Sequence, residues 1–354
     1  KRLDRVFKGN RPNVLQRCTE SGLHTVKIAV LGGAGYVGSR LVPQLLNEGH
    51  DVVVYDTCWF STPTIHPNLQ VSKHDIRDTE ALYRVLRYRG IETVIQLACI
   101  SNDTSCQLDE KLSTSINYDA FEPMVKTSKK AGVKRFIYCS SSSVYGVSDA
   151  PDITEDHPLV PLTLYNKYKG LCEPILFKYM DDGFECVVIR PATVCGYAPR
   201  MRFDLTVNIM TNHAAKNGVI TVFGGGQKRP NLHIDDMCDV YKLLLSAPVE
   251  KIQGQIFNVG YANMRVSEIA GLVSKTVGEM YETIIPIQTK EHTDNRSYHI
   301  NSEKIGNVLG YYPKRSVEDA IRGICERFKA GQMQDSLTNP IYLNIGQYLE
   351  SGIG

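Results

Sequence analysis

A tyrosine and a lysine stand four residues apart in the segment PLTLYNKYKGLCEP, which spans residues 161–174. That spacing places Tyr165 and Lys169 on one face of a helix, one turn apart. A phenol is a weak base at neutral pH, and a neighbouring ammonium group favours its ionised form. The pair could therefore act as a general acid–base. Chance alone supplies about one such pair in a chain of this composition, so the spacing becomes informative only together with its surroundings.

A glycine-rich segment, AVLGGAGYVGSRLV, lies between a predicted buried strand and a predicted helix. Its glycines Gly32, Gly35 and Gly38 follow the pattern GxxGxxG, which permits a tight turn and brings backbone N–H groups close to a pyrophosphate. Asp56 closes the next predicted strand. A carboxylate there accepts hydrogen bonds from the hydroxyls of an adenosine ribose and repels a 2′-phosphate. These residues predict a dinucleotide site that prefers NAD to NADP.

The rest of the chain has to position these groups. Its 354 residues exceed the size of about 250–300 at which a single core stops growing, so we expect two lobes. Apolar strands alternate with amphipathic helices, which predicts an α/β fold with a Rossmann-type doubly wound parallel sheet. The expected NAD-binding domain covers 26–191, with 231–260 returning to it. The remaining predicted parts are a smaller substrate lobe at 192–230 and 261–330, an N-terminal extension at 1–25 and a C-terminal tail at 331–354.

Composition narrows the classes of function. The chain is 42% hydrophobic and 22% charged, with a formal net charge of +2, as in an ordinary soluble globular protein. No basic cluster with interleaved aromatic residues predicts a nucleic-acid partner, and no apolar run approaches the ~18 residues of a membrane span. The ten cysteines lack metal-binding spacing, so we expect no metal site. Scattered cysteines in apolar runs are typical of reduced thiols in the cytoplasm.

Several segments match, in order, the landmarks of a known family. They are GGAGYVGS, HDIRD, VIQLAC, IYCSSSSVYG, LYNKYKGLCE, IRPATVCGYAPR, LHIDDMCDV and FNVGYANMRVSEI. With these segments the chain resembles the extended short-chain dehydrogenase/reductase family. Within it, the chain looks most like the NAD-dependent nucleotide-sugar epimerase/dehydratase branch, of the UDP-glucose 4-epimerase type. The resemblance extends from about Lys27 to Arg327.

The resemblance implies roles for individual residues. Tyr165 is the expected catalytic acid/base, and Lys169 is its partner and also holds the nicotinamide ribose. Ser141 is expected to hydrogen-bond the substrate hydroxyl, and a neighbouring serine would take this role if the register shifted by one. The implied cofactor is NAD. The residues expected to bind it are Gly32, Gly35, Tyr36, Val37, Asp56, Asp75, Ile76, Leu97, Ala98, Tyr165 and Lys169.

The implied substrate is a nucleoside-diphosphate sugar. The residues expected to bind it are Ser142, Ser143, Thr193, Asn208, Arg229 and Arg296. Arginines in these places could form bidentate contacts with phosphate oxygens. The alternative for Arg229 and Arg296 is a solvated surface loop. For Asp75 and Ile76 the alternative is a turn at the end of a strand.

Two departures from the family pattern bear on the reaction. Members that remove water typically carry Asp-Glu directly after the catalytic serine, whereas Ser142 and Ser143 occupy those positions here. Galactose-type 4-epimerases usually carry Asn where this chain has Thr193, so the resemblance does not fix the identity of the substrate sugar. We expect oxidation at C4 through a 4-keto intermediate, in a 4-epimerase or 4-dehydrogenase. The alternatives are a 4-ketoreductase and, further removed, a 4,6-dehydratase or a non-catalytic NAD-binding sensor.

The resemblance also implies a homodimer, in which two helices pair with their copies across a two-fold axis. The apolar residues considered for this contact are Phe121, Met124, Val125, Leu171, Ile175 and Leu176. The alternative is that these residues pack on their own sheet. Pro123 and Pro174 argue against the pairing, because each is expected to interrupt its helix.

Overall fold

The structure is a computed structural model that describes residues 25–291 and 297–344. Three of the predicted features lie outside this part of the chain. They are the N-terminal extension before residue 25, the substrate candidate Arg296 and the end of the C-terminal tail.

Twelve strands are formed within the described residues. They are β1 (Lys27–Leu31), β2 (Asp51–Asp56), β3 (Leu69–Lys73), β4 (Thr93–Gln96), β5 (Arg135–Cys139), β6 (Glu185–Pro191), β7 (Thr193–Cys195), β8 (Ile220–Phe223), β9 (Lys228–His233), β10 (Gln255–Val259), β11 (Ala262–Arg265) and β12 (Ile287–Lys290). Seven of them form a parallel sheet in the order β10-β6-β5-β4-β1-β2-β3.

Helices connect and cover these strands. They are α1 (Tyr36–Asn47), α2 (Thr79–Arg89), α3 (Asp103–Leu108), α4 (Glu110–Thr114), α5 (Phe121–Ala131), α6 (Leu164–Phe177), α7 (Thr206–Asn217), α8 (Ile234–Ser246), α9 (Val249–Ile252), α10 (Val266–Tyr281), α11 (Glu303–Leu309) and α12 (Val317–Lys329). A π-helical turn at Ser115–Asp119 precedes α5, and short 3₁₀ turns lie at Ser142–Tyr145 and Pro340–Tyr342.

Both faces of the seven-stranded sheet are buried. Successive residues of a strand point to opposite faces, and they enter two different hydrophobic clusters. In β2, Val52 and Val54 belong to the cluster on one face, whereas Val53 and Tyr55 belong to the cluster on the other. The predicted doubly wound parallel sheet is therefore confirmed.

The strand order reverses at β1, which has β2 on one side and β4 on the other. Ligands of doubly wound sheets bind in the crevice at such a switch point, at the carboxyl ends of the strands. Gly32 follows β1 there with φ +83°, and a Cβ on it would lie 2.5 Å from the backbone nitrogen of Ala98. The loops after β1 and β4 can meet this closely only because residue 32 is glycine.

The later chain forms a second group of elements and also returns to the central sheet. β7 and β9 pair in parallel, β11 pairs antiparallel with β9, and β8 pairs with β12. The strands β7 and β8 and the helices α7, α10 and α12 share a separate hydrophobic cluster, and Met264 of β11 packs against it. The return is made by β10, which pairs in parallel with β6.

The two prolines do not interrupt their helices as the sequence led us to expect. Pro123 lies in the first turn of α5, where backbone N–H groups have no partner inside the helix in any case. Pro174 lies within α6, which continues to Phe177. Both helices are therefore long enough to present a continuous face.

Candidate active site

One cavity at the carboxyl ends of the central strands brings together most of the predicted site residues. Those that line it are Gly32, Gly35, Tyr36, Val37, Asp56, Asp75, Ile76, Leu97, Ala98, Ser141, Ser142, Ser143, Tyr165, Lys169 and Thr193. Asn208 and Arg229 are not among the lining residues. The acid–base pair and the glycine loop, which are far apart in sequence, therefore face the same space.

The helix α6 positions the acid–base pair. Thr163 caps it by accepting a hydrogen bond from the backbone of Asn166 at 3.3 Å, which places Tyr165 in the first turn. Lys169 is buried, donates a hydrogen bond to the carbonyl oxygen of Cys139 at 2.7 Å, and lies 5.9 Å from the centre of the Tyr165 ring.

Burial and charge act on Tyr165 in opposite directions. Burial raises the pKa of its phenol well above the ordinary value, and the Lys169 ammonium group is the largest influence that lowers it. Burial alone would lower the pKa of Lys169, but the acidic groups of Cys99 and Tyr165 outweigh this effect, so its pKa is raised. The lysine therefore stays protonated and favours the phenolate.

The serine loop after β5 supplies hydroxyl groups beside this pair. The Oγ atoms of Ser141 and Ser143 are 2.7 Å apart, and Ser143 also donates to the side chain of Asn166. Ser140 instead points into the core, where it donates to Oε1 of Glu173 at 2.6 Å. Ser140 is thus occupied by a structural contact, whereas Ser141 and Ser143 face the cavity.

A buried ion pair lies beneath the serine loop. The guanidinium group of Arg190 in β6 donates two hydrogen bonds, of 2.9 and 2.6 Å, to the carboxylate of Glu173 in α6. Both side chains are only 3% exposed. Arg190 donates further to the hydroxyl of Tyr145 at 2.8 Å. This network joins the helix that carries the acid–base pair to the sheet.

The glycine loop has the features that a pyrophosphate requires. Gly35 precedes α1, and none of the described side chains caps the first turn of this helix. Its N–H groups therefore have no partner within the helix, and the helix dipole adds positive charge at this end. A Cβ at Gly38 would lie 2.5 Å from the carbonyl oxygen of Gly33, so glycine is required where the helix meets the loop.

Asp56 is the last residue of β2 and lines the cavity. Its carboxylate accepts hydrogen bonds from the backbone of Ala34 at 2.9 Å and of Cys58 at 2.8 Å. Burial nevertheless raises its pKa. Asp75 also lines the cavity, where Arg77 binds its carboxylate at 2.7 Å, and the neighbouring Ile76 adds an apolar surface. Together with the open first turn of α1, these residues fit a dinucleotide.

The predicted substrate residues are divided between the cavity and its surroundings. Thr193 lines the cavity, and its hydroxyl lies 3.5 Å from that of Tyr298. The guanidinium of Arg229 lies 5.2 Å from the centre of the Tyr298 ring, so this arginine stands behind a residue of the lining. Asn208 is fully buried outside the cavity. Its amide accepts from the backbone of Gly196 and donates to the hydroxyl of Tyr36 and to the backbone, so its contacts are with the protein rather than with the cavity.

The lining residues that were not predicted include Arg200, Arg202 and Asn344. Arg202 forms two hydrogen bonds, of 2.9 and 2.8 Å, with the carboxylate of Asp204 and donates to Ser101 at 3.0 Å. The available signal was the pair of arginines in the segment APRMRFD. Nothing local to Asn344 indicates its place, because its contacts are with distant parts of the chain.

Comparison with known proteins gives the family. The sequence profile of the NAD dependent epimerase/dehydratase family matches residues 28–260. The chain belongs to this family. Its membership confirms the expected NAD cofactor and an enzyme of the epimerase/dehydratase class.

Relatives and solved structures of this family are similar along most of the chain. A UDP-glucose 4-epimerase of Lactobacillus helveticus is 28% identical over 84% of this chain and 95% of its own length. A UDP-glucose 4-epimerase of Thermotoga maritima, solved with UDP-glucose, matches with a TM-score of 0.76 at 24% identity, covering 86% of this chain and 99% of that one. A dTDP-glucose 4,6-dehydratase of Streptomyces venezuelae, solved with NAD, matches with a TM-score of 0.76 at 23% identity, covering 89% and 100%. The structural matches show the shared fold.

Within the part of the chain that the structure describes, no helix combines the length and the apolar character needed to cross a bilayer.

Proposed function

We propose that this member of the epimerase/dehydratase family is a nucleoside-diphosphate-sugar 4-epimerase. The observation that carries the proposal is that Tyr165, with Lys169 one turn away, faces the same cavity as the open first turn of α1. A base and a dinucleotide site that share one cavity can act on the same carbon atom.

In the proposed reaction the Tyr165 oxygen accepts the proton of the 4-hydroxyl group and later returns it. Bound NAD supplies the capacity to accept a hydride from C4 and to give it back. Lys169 holds positive charge beside the phenol, and Ser141 hydrogen-bonds the reacting oxygen. Between the two steps the keto sugar rotates in the cavity, so that the hydrogen returns to the opposite face of C4. The net reaction is therefore an isomerisation.

The other substrate contacts are proposals of the same kind. Ser142, Ser143 and Thr193 line the cavity and are placed to hydrogen-bond the sugar. For the diphosphate we retain Arg229 and Arg296 as candidates, Arg229 through its position behind Tyr298. We propose that residues 192–230 and 261–330 form the substrate lobe, since strands and helices from both segments share one hydrophobic cluster.

A 4,6-dehydratase is the rival within the family. Elimination of water needs an acid and a base next to the catalytic serine, and the residues that follow Ser141 are Ser142 and Ser143. Neither hydroxyl titrates near neutral pH, so neither can replace a carboxyl group. The similarity to curated UDP-glucose 4-epimerases supports the same choice.

The test is to incubate the purified protein with UDP-glucose, without added cofactor, and to identify the products by chromatography and NMR. We expect the 4-epimer, UDP-galactose, and no lasting increase in absorbance from reduced nicotinamide. A 4-keto-6-deoxy product would instead establish a dehydratase. An oxidised sugar formed together with an equal amount of NADH would establish a dehydrogenase. If UDP-glucose is not a substrate, the same assay with GDP-, dTDP- and CDP-sugars identifies the nucleotide.

We also propose a homodimer formed through α5 and α6. Most of the residues considered for this contact, namely Phe121, Met124, Val125 and Leu176, are buried in the chain's own core. Leu171 remains 39% exposed on α6. The proposal rests on the continuous helix that carries Leu171 and on the prevalence of two-fold contacts among oligomers.

A further inference from the structure

We propose that Arg200 neutralises the pyrophosphate of the bound dinucleotide and that Asn344, in the C-terminal segment, is the residue that positions it. The proposal rests on the proposed function only through the binding of NAD. It assigns a role in NAD binding to the loop that carries Arg200 and to the C-terminal segment that carries Asn344. Both lie outside the glycine loop.

The loop that carries Arg200 is fastened to the first two turns of α1. The hydroxyl of Tyr36 donates to the carbonyl oxygen of Gly196 at 2.6 Å, and the backbone N–H of Arg200 donates to Oγ of Ser39 at 3.1 Å. Both contacts are made at the end of α1 whose N–H groups are open to the cavity. A pyrophosphate bound there lies within reach of the side chain of Arg200, because the backbone of Arg200 is held at Ser39.

The guanidinium group of Arg200 is held above the switch point of the sheet. It lies 4.1 Å from the centre of the Phe60 ring, in the loop that follows β2. On the other side it donates to Oδ1 of Asn344 at 2.5 Å. The amide of Asn344 in turn donates to Oγ of Ser101 at 2.7 Å, in the loop that follows β4.

This placement matches the path of a dinucleotide. Its adenosine half would lie at Asp56, the last residue of β2, and its nicotinamide half at Tyr165 and Lys169. The pyrophosphate joins the halves and must cross between the loops after β2 and β4, where the guanidinium is held. The loop after β4, LACISNDTS, contains no lysine or arginine, so it cannot supply this charge itself.

The side chain of Asn344 is chemically suited to orient Arg200. Asparagine is neutral, so Asn344 orients the guanidinium without neutralising it. Arg200 and Asn344 are only 4% and 3% exposed, and a charge in such a water-poor place acts strongly on a nearby anion. Arg200 also counters the carboxylate of Asp56, whose pKa it lowers against the larger effect of burial. Its charge thus offsets repulsion between Asp56 and a bound pyrophosphate.

The test uses the fluorescence of Trp59, the only tryptophan of the chain, which lines the cavity. In protein freed of co-purified nucleotide, its quenching gives dissociation constants for NAD, for ADP-ribose and for adenosine, which lacks the pyrophosphate. The variants are Arg200→Gln, Arg200→Lys and Asn344→Leu. Arg327→Gln is the matched control, because Arg327 also lies on an aromatic ring, at 4.7 Å from Tyr197, but outside the cavity lining.

Arg200→Gln is expected to weaken the binding of NAD and of ADP-ribose roughly tenfold to a hundredfold and to leave adenosine binding unchanged. The salt dependence of NAD binding should become shallower. Arg200→Lys should lose less than Arg200→Gln. Asn344→Leu should weaken NAD about threefold to tenfold, and Arg327→Gln should match the wild type.

NAD binding by Arg200→Gln that equals the wild type would overturn the proposal, as would an equal loss for adenosine. Wild-type affinity in Asn344→Leu would overturn the role of the C-terminal segment. Circular dichroism shows whether Arg200→Gln folds. If it does not, the test uses Arg200→Lys and Asn344→Leu, and a loss of NAD affinity without a loss of adenosine affinity supports the proposal. A wild-type protein that binds no NAD, by quenching and by calorimetry, would defeat the proposed function as well, a result that differs from the failure of the variants alone.

Discussion

The ammonium group of Lys169 lies 5.9 Å from the centre of the Tyr165 ring and is fixed there by a 2.7 Å hydrogen bond to the carbonyl oxygen of Cys139. The lysine is therefore held between its own helix, α6, and the end of β5. Its charge cannot move away from the phenol without breaking a buried hydrogen bond. Chance could produce the four-residue spacing of Tyr165 and Lys169 in the sequence. The hydrogen bond to Cys139 fixes the lysine charge beside the phenol in the structure.

Tyr165→Phe should lower turnover at least about a hundredfold, because it removes the group that accepts the proton. The fold and NAD binding should be retained. The matched control is Tyr168→Phe on the same helix, since the Tyr168 hydroxyl bonds to Thr114 at 2.8 Å and its side chain is not part of the cavity lining. Steady-state kinetics decide between them: comparable turnover in both variants would remove Tyr165 from the mechanism.

The rate should depend on pH through Tyr165. The phenolate is the base, so kcat/KM should rise with pH as the phenol ionises, and Lys169 lowers the pKa of that ionisation against the effect of burial. In Lys169→Gln the pKa of Tyr165 should rise, which moves the ascending limb by at least about one unit to higher pH. Lys167→Gln, which changes an exposed lysine two residues away, should keep the wild-type profile. A limb that stays in place in Lys169→Gln would contradict the assignment.

Asp56→Ser should weaken NAD about tenfold and NADP much less, because the change removes a ribose acceptor and a negative charge that repels a 2′-phosphate. The dissociation constants can be measured by calorimetry. Asp51→Ser, at the exposed start of the same strand, is the control and should leave both constants unchanged. A wild-type preference for NADP would show that Asp56 does not select the cofactor.

Glu173→Gln should destabilise the fold by about 3–5 kcal/mol, because it leaves the Arg190 guanidinium buried without its counter-charge. The control is Glu80→Gln. It breaks an exposed pair with Arg84, of 3.5 Å, and should cost only about 0–1 kcal/mol. Denaturant unfolding of both variants measures the difference in the free energy of unfolding. Equal midpoints would mean that the buried pair adds little to stability.

The oligomeric state can be read from light scattering at micromolar concentration. The wild type should show the mass of two chains, and Leu171→Glu should show the mass of one, because a charge would be buried in the contact. The control is Ile284→Glu, which changes an isoleucine that is 90% exposed and lies outside α5 and α6. This variant should remain a dimer. A wild-type mass of one chain would end the proposal.

The central sheet and the two ends of the cavity could be predicted because their signals are local. Strand and helix periods identify the elements, while the glycine loop and the Tyr165–Lys169 spacing lie within single segments. Arg200, Arg202 and Asn344 carry no such signal. They reach the cavity only through contacts between distant segments, and no period or spacing in the sequence encodes such contacts.

Hydrogen bonding bears on two of the expectations. Asn208 stands at a position where the resemblance implies a substrate contact, but its amide is taken up by Gly196, Tyr36 and the backbone. Pro123 and Pro174 were expected to interrupt their helices. A proline in a first turn loses no helical hydrogen bond, and α6 continues to Phe177 beyond the other because its buried residues, such as Cys172 and Leu176, hold the helix in the core.

The contact between Asn344 and Ser101 joins residues 243 positions apart in the chain, which places the cavity late in the order of folding. Closing so long a loop costs much chain entropy. Such contacts therefore form only after more local structure has ordered the chain between them. During synthesis this wall of the cavity cannot exist until residue 344 has left the ribosome. A protease that removed the segment carrying Asn344 would open the cavity without cutting the central sheet, and a tightly bound ligand would protect that segment because binding stabilises the closed form.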